Sequence, residues 1–448
     1  NVLEGQGSEA SPFLIRSVAD INKLADFIVS ASMDYNGFFF RLENDIDYAG
    51  AELKPLGSAK VKFQADFNGN NHTIKGFNYE NTGVNDGQGR YVGFFVTLGE
   101  AARVHHLTLN GTVTANSNVG GFAGRLYGKI ENCVNLSNVT ATGSAGAGGF
   151  VANSYQDAEI TDCVNRGNVS TGRYNNAAGI VSYALETNVS RCSNEGQISG
   201  NISIGGIAAR ISGSITDCVN SGRLTSTVTG TSEVDMAGIA AYGLKGTSSM
   251  LTISNCRNTA DISGPRGVAG IPASTDGYDS NTKSSGCYVV MTGCYNTGNI
   301  SANSYASGVA GDFKSGCDIS DCYNTGNVTT VSGHAAGCFN SLDNDPNNEV
   351  NRVARCYNTG TVKAGGTTNG GFAAQINNDM EIDNCYNLGD VSTTYTGGNT
   401  NQAFTAGFCA YLNGHITNCF NAGNVTSTQF GVGGFSTYGS PVVERCVN

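Results

Sequence analysis

Tryptophan is absent from this chain, proline occurs 6 times, and charged residues make up only 14% of its 448 positions. No apolar run approaches the roughly 20 residues a membrane-spanning helix requires, so no span is expected. The few charges sum to −11. That balance argues against a nucleic-acid backbone or an anionic membrane as partner. What remains is glycine (62 residues) with many serines, threonines and asparagines. This composition suits short strands and tight turns rather than helices.

Cysteine is the other abundance: 15 residues, an odd number. Eleven of them open a Cys-x-Asn triplet, from Cys133, Cys163 and Cys192 through to Cys419 and Cys446. The interval varies from 26 to 38 residues, a period typical of solenoids. Three residues before each cysteine stands an apolar residue, as in Ile130, Ile160 and Val353. Four residues after it the residue is usually glycine, and six after it β-branched or leucine. Between the cysteines runs a second signature, written "GGFAG" at 120–124 and "GGFAA" at 370–374. Each repeat thus carries three short apolar segments separated by Gly/Asn turns.

These segments predict an all-β chain, a right-handed parallel β-helix with about three short strands per coil. Cysteine acts as a small buried hydrophobe. Asparagine points inward at a corner, where its amide bonds the turn and the asparagines of adjacent coils. The glycine two residues beyond the asparagine is expected to supply a positive φ. The even, odd-numbered cysteine set favours stacked thiols over disulfides; Cys287 and Cys317, outside the columns, are candidates for a local bridge. Residues 1–91 lack the triplet and are expected to form a cap with first irregular coils. There the apolar spacing of Ile21, Leu24, Ala25 and Ile28 predicts a helix over "SVADINKLADFIVSA". Residues 92–448 form the β-helix. The chain stops within a repeat at Asn448, which suggests a longer protein or end-to-end self-association along the axis.

The stretches "SPFLIRSVADINKLADFI", "FFFRLENDID", "LKPLG", "FNGNNHTIKGF", "VGFF" and the recurrent "GGFAG" resemble bacterial surface proteins carrying the GLUG motif. The resemblance implies an adhesin-like protein, secreted or at the cell surface, with its leader removed from the sequence that begins at Asn1. Such repeats also occur in non-catalytic regions of IgA1-specific zinc metallopeptidases. Those enzymes bind zinc through His-Glu-x-x-His. None of His72, His105, His106, His334 and His415 is followed by glutamate.

Three classes of function follow. The leading one is a non-enzymatic extracellular stalk or adhesin-like module, with a host glycan or a host or matrix protein as partner. The second is a carbohydrate-active β-helix enzyme, which would gather carboxylates on one face of neighbouring coils. The third is a subunit of an extracellular filament or layer. For the enzyme, the residue before each ladder cysteine is the column to test; its acids alternate with arginines, as in Asp162–Arg191 and Asp321–Arg355. For the adhesin, the residue between Cys and Asn points outward. Five coils place Tyr295, Tyr323, Tyr357, Tyr386 and Phe420 there, an aromatic column suited to sugar rings or a protein surface. No cofactor is expected beyond structural calcium. Asp343, Asp345, Asn347 and Glu349 of "LDNDPNNE" offer hard oxygen ligands at every second position. His105 and His106, read as strand neighbours, should point to opposite faces.

Overall fold

A computed structural model of the chain describes residues 3–82, 91–172, 175–229, 233–248, 250–277, 285–344, 347, 350–377, 380–395, 403–428 and 431–448. The chain forms two compact units, Asn1–Ala209 and Arg210–Asn448. Each is a stack of parallel strands, residue i of one coil pairing with its equivalent in the next. In the first unit, Val134↔Val164, Val139↔Val169, Ala147↔Ala177 and Ile130↔Ile160 are such partners. In the second, Tyr357↔Tyr386, Val362↔Val391, Ala373↔Cys409 and Val353↔Ile382 are. The repeated letters are therefore vertical files, as the spacing predicts. The coil that precedes the first Cys-x-Asn triplet, with Leu107 and Leu109 in place of Cys and Asn, is in register too, Leu109 beside Asn135 and Val113 beside Val139.

A coil holds four or five strands rather than three. After Cys356 they are Tyr357–Asn358, Val362–Ala364, Thr368–Gly370, Ala373–Ile376 and Glu381–Asp383. The extra breaks fall where the backbone must turn. One is the residue before each ladder cysteine, which is left-handed throughout. In the first unit these are Asn132, Asp162 and Arg191, preceded by His106; in the second they run from Asp217 to Arg445 and include Gly293, all with φ between 50° and 65°. Asparagine, aspartate and glycine reach this region at least cost, which accounts for most of the column's composition.

The glycine after the asparagine does a different job from the one expected of it. Gly360 is not left-handed; a Cβ built on it would stand 1.9 Å from the carbonyl oxygen of Gly326 in the adjacent coil. Its missing side chain allows close backbone approach, and the positive φ is carried by Arg355, earlier in the same corner.

The predicted helix is present at Val18–Ala31, with Ser17 as N-cap accepting from the Asp20 N–H. Ile21, Leu24, Ala25 and Ile28 are its buried face. It follows the short strand Phe13–Ile15, whose partner is Phe39–Leu42. Among the described residues no helix is long and apolar enough to cross a membrane.

The interior is built of the predicted columns. All fifteen cysteines are free thiols, and fourteen are buried. Cys287 and Cys317 are among them and form no bridge. Along the second unit each ladder thiol accepts the backbone N–H of the preceding ladder cysteine at 3.3–3.5 Å, from Cys218→Cys256 to Cys419→Cys446. The asparagines form an amide ladder beside them: Asn135→Asn165→Asn194 in the first unit, at 2.8 Å. In the second it runs unbroken from Asn220 to Asn448 at 2.8–3.0 Å. Phenylalanines of the Gly-Gly-Phe signature stack inside, Phe372–Phe408 and Phe408–Phe435 at 4.7 Å. Each large buried side chain stabilises by roughly 1.5–3 kcal/mol.

Candidate functional sites

The alternation that buries Cys and Asn turns the residue between them outward. Tyr295, Tyr323, Tyr357, Tyr386 and Phe420 accordingly form one continuous stack. Centroid separations are 4.8, 4.9, 4.9 and 5.0 Å, with interplanar angles of 2°, 2°, 3° and 9°. Near-parallel stacking is set by strand register. Neighbouring rings cover one another's faces, so the surface presents ring edges and phenol hydroxyls. The tyrosines are half-buried, and burial pushes the Tyr323 and Tyr357 hydroxyls above the ordinary phenol range. Two exposed polar files flank the stack: Thr297, Thr325 and Thr359, then Asn299, Asn327 and Thr361. The outer file is itself hydrogen-bonded coil to coil: the Asn299 Oδ1 accepts the Asn327 N–H at 3.1 Å, and the Asn327 Oδ1 the Thr361 hydroxyl at 2.8 Å. Neither file carries a charge over these three coils.

The column before the ladder cysteines makes the charge pairs expected of it. Arg191 grips Asp162 with two bonds at 2.7 and 2.8 Å, and Arg355 grips Asp321 with two at 2.7 Å. The arginine in each pair holds the carboxyl below its usual range. These are exposed pairs at backbone corners, where solvent screening leaves them little weight in stability.

Of the candidate calcium ligands, Asp345 and Glu349 lie outside the described residues. Asp343 turns its carboxylate to the Asn377 amide of the next coil, and Asn347 donates to Ser285 Oγ at 3.2 Å. Among the described residues no three His, Cys, Asp or Glu side chains converge as metal ligands. The histidine pair departs from expectation. His106 occupies a left-handed corner, so the rings meet instead of diverging, Nδ1 to Nδ1 at 2.8 Å, while His105 Nε2 contacts Asp66 at 2.9 Å.

A further site lies off the Cys-x-Asn alignment. In the second unit, Tyr242↔Ser274↔Asp312↔Ser341 form an outward file on the strands that follow the Gly-rich signature. Beside it a pocket of about 210 Å³ is lined by residues that include Asp235, Asp312, Lys314, Ser307 and Asn340. Asp235 is raised to about 7, by burial ahead of the opposing attraction of Lys314. Burial also raises Asp312, against the Asn340 amide that donates to it. Two arginines lie over tyrosine rings of the same pocket: Arg210 over Tyr242 and Arg266 over Tyr305, each 4.6 Å from the centroid. Tyr242 donates its hydroxyl to Asp276 at 2.9 Å, and Arg266 pairs with Glu233 at 3.3 Å. His334, edge-on to Tyr305 at 4.8 Å, is lowered to about 4 by burial and then by Arg266. The only signal in the sequence is the alternation of Tyr, Ser and Asp in that file, which alignment on the cysteines does not bring up.

Comparison with known proteins finds the GLUG motif at residues 115–145. A 138-residue stretch, 29% of this chain, is 31% identical to a protein of Evansella cellulosilytica named "Putative Gly-rich membrane protein". A 161-residue stretch, 34% of the chain, is 28% identical to Halomucin of Haloquadratum walsbyi. The matches span 15% and 2% of those two relatives. Among solved structures, the chain is similar to a "putative immunoglobulin A1 protease" from Bacteroides ovatus, with 22% identity, 58% of this chain and 78% of that one covered, and a TM-score of 0.45. It is also similar to tailspike protein 3 of bacteriophage CBA120, with 11% identity, 99% and 60% coverage, and a TM-score of 0.30. The chain is a parallel β-solenoid carrying a GLUG motif.

Proposed function

We propose that this chain is a non-enzymatic binding module of a secreted or surface-attached bacterial protein, a β-solenoid stalk that engages an extended glycan along the Tyr295–Phe420 face. The supporting observation is the five-ring stack repeating every 4.8–5.0 Å, with uncharged threonine and asparagine files beside its first three rings. A regular row of hydroxyls, amides and ring edges matches a polymer that repeats hydroxyls along its length. The free thiols are compatible with an oxidising exterior. Fourteen are buried, and burial raises ladder thiols such as Cys356 and Cys385 far from the reactive thiolate.

The test is a glycan-array and host-protein binding screen of the full chain beside the Tyr323→Ala/Tyr357→Ala double variant. The variant should keep the wild-type circular dichroism and lose binding at least tenfold. Equal binding by the two proteins removes the face from consideration.

A further inference from the structure

We infer that the pocket of the second unit walled by Asp235, Ser307, Asp312, Lys314 and Asn340 is a binding site for one uncharged sugar ring, separate from the tyrosine face.

Two buried polar atoms in its wall lack partners. Ser307 is 1% exposed and Asn340 4%, yet Ser307 Oγ and Asn340 Oδ1 make no hydrogen bond. An unpaired buried polar atom costs about 1–3 kcal/mol and calls for a partner. Both oxygens belong to residues of the pocket wall but are closed to water in the empty pocket, so a ligand reaches them by a small side-chain rotation. A ligand rich in hydroxyls supplies the partner, because each hydroxyl donates once and accepts twice. The remaining wall alternates in the same sense: the Asp235 and Asp312 carboxyls accept, and the Lys314 ammonium donates.

The charges select a neutral ligand. Lys314 lies close enough to Asp235 and Asp312 to favour their charged forms, and Arg266 is engaged by Glu233 and by the Tyr305 ring. With Arg210, which lies over the Tyr242 ring and also attracts Asp235, the three cations Arg210, Arg266 and Lys314 face the three carboxyls of Glu233, Asp235 and Asp312. An added cation would meet Lys314 and Arg266; an added anion would meet Asp235 and Asp312. Either would have to shed its water without a free counter-charge, which is expensive. The size agrees. At about 210 Å³ the pocket lies below the roughly 300–1,000 Å³ of drug-sized sites, so a single ring is taken rather than an oligosaccharide. The tyrosine faces are occupied by Arg210 and Arg266, which leaves hydrogen bonding as the means of recognition.

The experiment is saturation-transfer NMR and calorimetry on the full chain with glucose, galactose, mannose and N-acetylglucosamine as probes. Glucuronate, glucosamine, glycine, phosphate and calcium chloride serve as charged controls. At least one neutral sugar should bind, with affinity reduced tenfold or more in the near-isosteric Asp235→Asn and in Ser307→Ala, both checked for wild-type circular dichroism. The Tyr323→Ala/Tyr357→Ala variant should bind that sugar normally, so failure of the tyrosine face and failure of the pocket read out separately. The inference is overturned if no neutral sugar binds at 10 mM, on the order of the weakest affinities worth measuring. It is equally overturned if a charged control binds more tightly, or if neither pocket variant changes the affinity.

Discussion

The side-chain amide of Asn324 donates to the Oδ1 of Asn358, one coil on, at 2.8 Å. Asn358 passes the same bond to Asn387 at 2.8 Å, donates to the Gly360 carbonyl at 2.8 Å and accepts the Gly360 N–H at 3.2 Å. Four hydrogen bonds converge on one fully buried side chain. This arrangement lets a polar residue replace a hydrophobe in the core, because every lone pair and proton it carries is used. The polar file and the thiol file beside it settle the register together, since a slip of one residue would turn both outward.

Replacing Asn358 by alanine should therefore cost about 3 kcal/mol, as it strands the Asn324 amide, the Asn387 carbonyl and the Gly360 peptide at once. Serine should recover part of the loss through the turn. Urea denaturation followed by circular dichroism measures both. A loss for alanine below about 1 kcal/mol, the worth of one ordinary hydrogen bond, would mean that water replaces the ladder bonds.

Gly360 separates two explanations of the same letter. The Gly326 carbonyl oxygen lies 1.9 Å from where a Cβ would stand, so alanine should destabilise by about 3 kcal/mol, at the high end for overpacking. Asparagine should be no better. If φ were the reason for glycine, asparagine would be tolerated much better than alanine. The reverse holds at Arg355, which is left-handed. There asparagine should be close to neutral and valine should cost on the order of 1–3 kcal/mol. Thermal melts of the four variants decide the matter.

Thiol accessibility gives a third expectation. Of fifteen free cysteines only Cys446 is partly exposed. A disulfide reagent added to the native protein at pH 8 should modify about one thiol per chain quickly, and all fifteen only after denaturation. Mass spectrometry should place the fast label on Cys446. Rapid labelling of Cys322 or Cys356 would show that the file opens.

Asp235 sets a pH dependence whose sign is fixed by the direction of its shift. Its pKa is raised in the folded chain to about 7 from 3.8. The native state therefore holds the proton more tightly than the unfolded chain, and the stability this contributes is full below pH 4 and lost as pH rises through 7. Asp235→Asn should leave the melting temperature at pH 4 nearly unchanged and raise it above wild type at pH 8. His334 acts in the opposite sense. Lowered to about 4, it contributes stability above pH 6.5 that is lost as pH falls through 4. The variant should consequently show a steeper rise in stability between pH 4 and 6 than wild type. Parallel melting curves for the two proteins would place the Asp235 carboxylate in ordinary solvent.

Residue letters alone determined the files: Cys over Cys, Asn over Asn, tyrosine over tyrosine. They could do so because a solenoid turns sequence period into axial translation, and equal residues one coil apart face equal neighbours. The helix at Val18–Ala31 was equally legible, from the spacing of four apolar residues. Which residue of the corner takes positive φ was decided only by the fold, because Gly360 and Arg355 differ in what the adjacent backbone leaves room for. The covering of each tyrosine ring by the next was likewise a matter of three-dimensional spacing. So was the pocket of Asp235, Ser307, Asp312 and Asn340, whose members come from different strands and stand at no common interval. Their meeting depends on how far each coil's loops carry the chain before it rejoins the stack, and local sequence pattern holds no record of that distance.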